Sequence, residues 1–244
     1  MPLDEIRRAI RPLLRPQSPA DALAAYFAFH HPDSRTRLVP YPPDSPHPTG
    51  YVCISRTGMD LFRPLVTLRL PPQDMTGSAE LIYAALRPET AVFLNVPEAD
   101  YPLISALFQI RSEEHLALYQ LDPARFEPVV NVLVTQAEGP NGLPRFVIRS
   151  DTADGQVVAA ASLNWQSPDF AEIGVMTLPG YRRQGWGRSV VAALVRYLLA
   201  NGRMPLYAVS LANEASRSLA AQVGFVDTGS RAVLAEGTLR PHPL

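Results

Sequence analysis

The chain has 244 residues, 47% hydrophobic and 18% charged, with a formal net charge of −1 at pH 7. This is the composition of one large or two smaller globular domains, and its near-neutral balance gives no field to draw it to nucleic acid or an anionic membrane. All 22 basic residues are Arg, which excludes Schiff-base and phosphate-loop lysines, and Cys53 as the single cysteine excludes an intrachain disulfide and a thiolate-rich metal site.

The N-terminus has no basic region followed by an apolar stretch, and no apolar run approaches the about twenty residues of a membrane span. A cytoplasmic protein without a membrane segment is expected. In chain order, Leu3, Ile6, Ile10 and Leu14 have helical spacing, and Ala20–Phe29 continues in that style. Pro40 to Pro48 is too rich in proline for regular structure and reads as an exposed loop. Strands are predicted over Tyr51–Ser55 and Leu65–Leu70, a helix over Ser78–Leu86, a buried strand over Ala91–Val96, a helix over Tyr101–Phe108 and a strand over Leu116–Leu121. Residues 123–128, with two prolines, form a natural connection, so the chain divides into lobes 1–125 and 126–244.

The second lobe has the clearer pattern. Strands are predicted over Val129–Thr135, Arg145–Ser150, Val157–Trp165 and Phe170–Leu178, with turns at Asp154-Gly155 and at Gln166–Asp169. A helix from Trp186 to Ala200 carries Val190, Leu194, Tyr197 and Leu198 on one face and ends at Asn201-Gly202. Met204–Leu211 is a strand, and Asn213 is a candidate cap for a helix closed by Gly224.

The segment Arg182-Arg183-Gln184-Gly185-Trp186-Gly187-Arg188-Ser189 joins a strand to an amphipathic helix. Glycines there let main-chain N–H groups approach an anion, and the helix start adds a positive dipole end. The arrangement suits a pyrophosphate; it also suits a tight helix-start turn. A dinucleotide fingerprint fails because position 190 is Val, and a phosphate loop fails for want of Lys.

The run resembles motif A of the GNAT superfamily of N-acetyltransferases. Ala171–Thr177 is similar to that family's fourth strand, and Asn213-Glu214-Ala215-Ser216 through Leu219 to Gly224-Phe225 to its terminal helix segment. The resemblance covers about residues 129–230. It implies an α/β fold with a mixed, mostly antiparallel central sheet flanked by helices, preceded by a smaller N-terminal α/β lobe that looks like a degenerate first GNAT lobe. It implies acetyl-CoA as cofactor, with the pantetheine arm between splayed strands against Val175, Met176 and Thr177. The pyrophosphate would rest on N–H groups from Arg183 to Ser189, with Arg182 alongside, and Asn213 and Ser216 would lie near the thiol end. Asn213 has the alternative role of a helix cap alone.

Glu172 is the candidate base. A carboxylate in an apolar strand has its proton affinity raised and can take the proton that an attacking amine must lose. Period-two alternation puts Phe170, Glu172, Gly174 and Met176 on one face. The alternative is a strand-end carboxylate, solvated or paired with an Arg. Many GNAT enzymes carry a Tyr as general acid where this chain has Ala220, leaving that role to Tyr207, Ser216, Ser218 or water. Trp165 reads as packing or as a lip of the cleft. The histidines lack metal-site spacing, so no metal is expected. The acceptor is expected to be a small-molecule amine or a peptide or protein amino group; assembly is open, a homodimer included. A CoA-binding module without turnover is the alternative to an enzyme.

Overall fold

Alternating apolar strands and amphipathic helices bury their apolar faces only by packing in layers. The protein, described here by a computed structural model for residues 1–58, 60–129, 131–139, 142–151 and 155–242, does so in both halves. In chain order the elements are α1 (Leu3–Ile10), α2 (Pro19–Phe29), β1 (Thr36–Tyr41), β2 (Gly50–Ser55), β3 (Leu65–Arg69), α3 (Met75–Ala85), β4 (Ala91–Pro97), α4 (Tyr101–Leu107) and β5 (Phe108–Leu121). Then come β6 (Thr135–Glu138), β7 (Pro144–Arg149), β8 (Val157–Gln166), β9 (Phe170–Thr177), α5 (Trp186–Ala200), β10 (Met204–Ser210), α6 (Glu214–Val223) and β11 (Phe225–Leu239).

The chain divides into two compact units, Met1–Leu116 with Arg231–Leu244, and Ala117–Ser230. Both β5 and β11 run across the division. The first unit has strand order β1-β2-β3-β4-β11-β5; β1 with β2, β2 with β3 and β4 with β11 are antiparallel, and Leu65 and Val66 make a short parallel pairing with Phe93 and Leu94. One core joins Val52, Val66 and Leu68 to Leu81 and Ile82 of α3; another joins Ile6, Ile10 and Leu14 to Ala25, Ala28, Tyr51 and Cys53. Arg63 is held by Asp60 and Glu236 at 2.8 and 2.7 Å.

In the second unit the order is β11-β5-β10-β9-β8-β7-β6, with β9 and β10 parallel and β6 to β9 antiparallel. Val190, Leu194 and Leu198, one helical face of α5, are fully buried against Ala159, Ala161 and Leu163, alternate residues of β8. Small alanines on the strand allow the helix to settle closely onto the sheet.

Most elements agree with the pattern reading, and the differences have physical causes. Pro40 and Tyr41 are not loop but the end of β1, where Pro40 pairs with Tyr51. The strand is a sheet edge, so the missing proline N–H leaves no ladder bond unmade. Helix α3 starts at Met75, ahead of the expected Ser78, because Asp74 caps it by accepting from the Gly77 N–H at 2.8 Å. The strand expected over Val129–Thr135 is absent at 131–134 and starts at Thr135, paired to Val147; Val130 lies outside the described residues. Of the expected turn at Asp154-Gly155, Asp154 likewise lies outside them. The expected lobe boundary near 125 compares with a division inside β5.

No helix among the described residues is long and apolar enough to cross a membrane. No group of three or more His, Cys, Asp or Glu among the described residues could hold a metal ion. Cys53 is fully buried, and burial pushes its thiol up to about 11 despite the neighbouring hydroxyls of Ser55 and Thr67. A disulfide-exchange reagent is therefore expected to find no thiol in the folded protein and one per chain after guanidinium unfolding. Rapid native-state labelling would contradict this packing.

Candidate active site

The site in the second unit begins where β9 and β10 part. Their parallel pairing runs Phe170–Met204, Ala171–Pro205 and Glu172–Leu206, and stops there. From Ile173 to Thr177, β9 stays paired to β8 on one side while its other edge has no strand partner among the described residues. An unpaired main-chain edge inside a sheet offers a ready line of donors and acceptors to an extended ligand. Val175 leans onto the core, whereas Met176 on the opposite face is 40% exposed.

Beyond Thr177 the chain turns into α5. The Arg182 Nε donates to the Thr177 carbonyl at 3.2 Å, and Tyr181 stacks on Trp186 with centroids 5.2 Å apart. Arg183 and Gly185 both take positive φ, 62° and 76°, and a Cβ on Gly185 would meet nothing within 4 Å. Successive residues in such conformations turn their N–H groups to one concave side. Among the described residues no main-chain N–H from Arg183 to Arg188 finds a protein acceptor; the next, Ser189, donates to the Gly185 carbonyl at 3.0 Å. A Cβ on Gly187 would lie 3.3 Å from Thr177 Oγ1 and 3.5 Å from Leu219, so this glycine lets the helix start come close to β9 and α6. The dipole end and the free donors make a fitting seat for a diphosphate.

Side chains of the run divide. Arg188 reaches Glu127 at 3.3 Å. The buried Ser189 hydroxyl donates to the Gly185 carbonyl at 3.3 Å and accepts from the Asn131 N–H at 3.4 Å, so it braces the turn from inside. Gln184 contacts the Gly180 carbonyl. Asn213 caps α6, its Oδ1 accepting from the Ser216 N–H at 3.0 Å. Ser216 lies beside Tyr207, the first residue of β10 beyond the pairing. Ala220 is fully buried in the core and brings no polar group to the opening.

Glu172 occupies the last paired position. Asn164 Nδ2 donates to its Oε1 at 2.8 Å and Trp165 Nε1 to its Oε2 at 3.0 Å. A β-bulge makes this possible: Leu163 pairs with Ile173 and Trp165 with Glu172, leaving Asn164 as the extra residue. Two consecutive side chains thereby share the face of Glu172. Gly174 completes the fit, since a Cβ there would stand 2.9 Å from Asn164 Oδ1. Glu172 is half-buried; burial raises its pKa, while the Asn164 and Trp165 hydrogen bonds lower it. Among the described residues no cation pairs with it. The donors were missed in the sequence because strict alternation assigns Trp165 to the opposite face.

The first unit also has a parallel pair that separates after two residues, β3 with β4. Its following helix starts differently. Asp74 satisfies the first turn itself, through Gly77 N–H, Ser78 N–H and the Ser78 hydroxyl, and it places a carboxylate where an anion would have to sit.

In the second unit the splayed parallel pair leads into an open helix start. Residues 146–231 match the family model described as GNAT acetyltransferase. A Drosophila protein solved by structural genomics superposes with a TM-score of 0.68 at 16% identity, over 99% of this chain and 96% of that one. A tandem GNAT protein from the clavulanic acid biosynthesis pathway gives 0.60 at 13%, over 99% and 95%. A GCN5-related N-acetyltransferase from Kribbella flavida gives 0.60 at 16%, over 91% and 96%. No curated protein matches in sequence. At these identities the likeness is one of fold. Residues 146–231 thus match a GNAT acetyltransferase domain, and the fold is one shared with solved GNAT proteins.

Of the two splayed parallel pairs, only that of the second unit leads, among the described residues, to a helix start without a capping carboxylate, so calorimetry with coenzyme A is expected to find one site per chain. Gly185→Val forces a β-branched residue into the left-handed region, at about 1–2 kcal/mol or more, and is expected to weaken binding roughly tenfold. Unchanged affinity would rule out the turn as the seat.

Proposed function

We propose that the chain transfers an acetyl group from acetyl-CoA to a primary amine in a ternary complex, with Glu172 as general base. One observation carries this reading: a half-buried carboxylate without a cationic partner stands at the last paired residue of β9, and the unpaired main-chain edge starts at the next residue. The residues present fit the cofactor. N–H groups from Arg183 to Arg188 would hold its diphosphate, Arg182 and Arg183 lie alongside, and the edge of Val175, Met176 and Thr177 would pair with the pantetheine amides. When bound, acetyl-CoA supplies an activated thioester carbonyl.

The rest of the chemistry belongs to the chain. Free alkylamines are mostly protonated at neutral pH, and only the neutral amine is a nucleophile. The Glu172 carboxylate takes that proton, directly or through a water, and burial raises its affinity for it. N–H groups on the open edge of β9 polarise the carbonyl oxygen. Tyr207 is the hydroxyl suited to return a proton to the leaving thiolate. Burial raises its pKa, offset in part by Ser216, so it stays protonated at neutral pH. The competing reading, a CoA-binding module without turnover, draws on the buried Ala220 and separates by experiment.

Thiol release over a panel of amines is the test. Glu172→Gln is expected to lower kcat about 10²–10⁴-fold while leaving coenzyme A affinity within about twofold. Activity requires the ionised carboxylate, so it falls as pH drops through a midpoint lying above the ordinary carboxylate range, and the variant loses that limb. Tight binding with no release by the wild type on any amine would favour the module.

A further inference from the structure

We propose that Asn164 and Trp165 are positioning residues for Glu172: the β8 bulge sets one neutral donor on each carboxylate oxygen, fixing the group's plane and holding it ionised while it waits for a proton. The proposal rests on the reading of Glu172 as base and adds what holds that base in place. Both contacts have ordinary hydrogen-bond lengths, 2.8 Å to Oε1 and 3.0 Å to Oε2, so neither oxygen can rotate without losing a partner. An ionised carboxylate accepts about four hydrogen bonds. With two taken from the bulge, the remaining lone pairs are those left for an incoming amine or water. Both donors are uncharged, so the carboxylate is oriented without the strong depression of proton affinity that an arginine would impose. Three separate features converge on this arrangement: the register slip between Leu163 and Trp165, the burial of the Trp165 ring, and the missing side chain at Gly174. No other described carboxylate receives an indole N–H in this way.

The test reads Glu172 directly as well as through turnover. Protein labelled with 13C at the glutamate carboxyls is titrated by NMR, and Glu172 is the resonance missing from Glu172→Gln. Removing a donor that favours the charged form raises the proton affinity, so Asn164→Ala and Trp165→Phe are each expected to move the Glu172 midpoint up by about one pH unit. Gly174→Ala, whose Cβ displaces the Asn164 amide, is expected to reproduce the Asn164→Ala shift. The acid limb of thiol release is expected to move by the same amount in Asn164→Ala. Asn164 is exposed, so its variant keeps the test valid if the buried Trp165→Phe fails to fold. A moved NMR midpoint with an unmoved acid limb upholds the clamp and overturns Glu172 as base. An unmoved midpoint in Asn164→Ala overturns the clamp, whatever the activity.

Discussion

The parting of β9 from β10 after Glu172 is the constraint on which the candidate site depends. A parallel pair normally satisfies both strands, and leaving one edge open in a packed sheet is unfavourable unless something else meets it. Here the open edge leads through Arg182–Gly185 to a helix whose first N–H groups are also unmet. Two sets of unsatisfied donors, connected by one short turn, describe the shape of a ligand: extended and amide-rich at one end, anionic at the other. Gly187 helps keep them together, because a Cβ there would already stand 3.3 Å from Thr177 Oγ1.

Both units contain ion pairs in which an Arg meets a carboxylate. In the first, Arg63 lies between Asp60 and Glu236, Arg69 on Asp21 and Arg7 on Asp33, pairs that neutralise one another. Such partly exposed bridges contribute little to stability but leave no charge seeking a partner. Glu172 is held differently from these pairs. It is half-buried and oriented by an amide and an indole, with no cation beside it among the described residues. A group in that state is suited to accept a proton, whereas an arginine neighbour would have made it a structural anion.

The helix starts show how the same local geometry acquires or loses a function. Asp74 ahead of α3 sets a carboxylate oxygen on the Gly77 N–H, so that helix start carries its own anion. Gly185 ahead of α5 has no side chain to do so, and the positive φ of Arg183 turns further donors outward. One carboxylate at the cap position is enough to separate a helix that packs from a helix that can bind.

The amino-acid sequence by itself determined what periodicity and composition can carry. The bounds of α5, the cap at Asn213, the αL residue at Gly224 and the face shared by Glu172 and Met176 follow from local rules and agree with the structure. So does the glycine-rich turn between β9 and α5, whose residue types are dictated by backbone conformation. What only the tertiary structure decided depends on distant chains. Pro40 is in a strand because that strand is an edge, and residues 131–134 are not, although their composition suits one. Trp165 and Asn164 reach Glu172 only because one extra residue in β8 shifts the alternation by one place. A strand's own sequence has a period of two and carries no mark of where its partner slips. The orientation of the carboxylate is therefore a property of the paired strands and not of either alone.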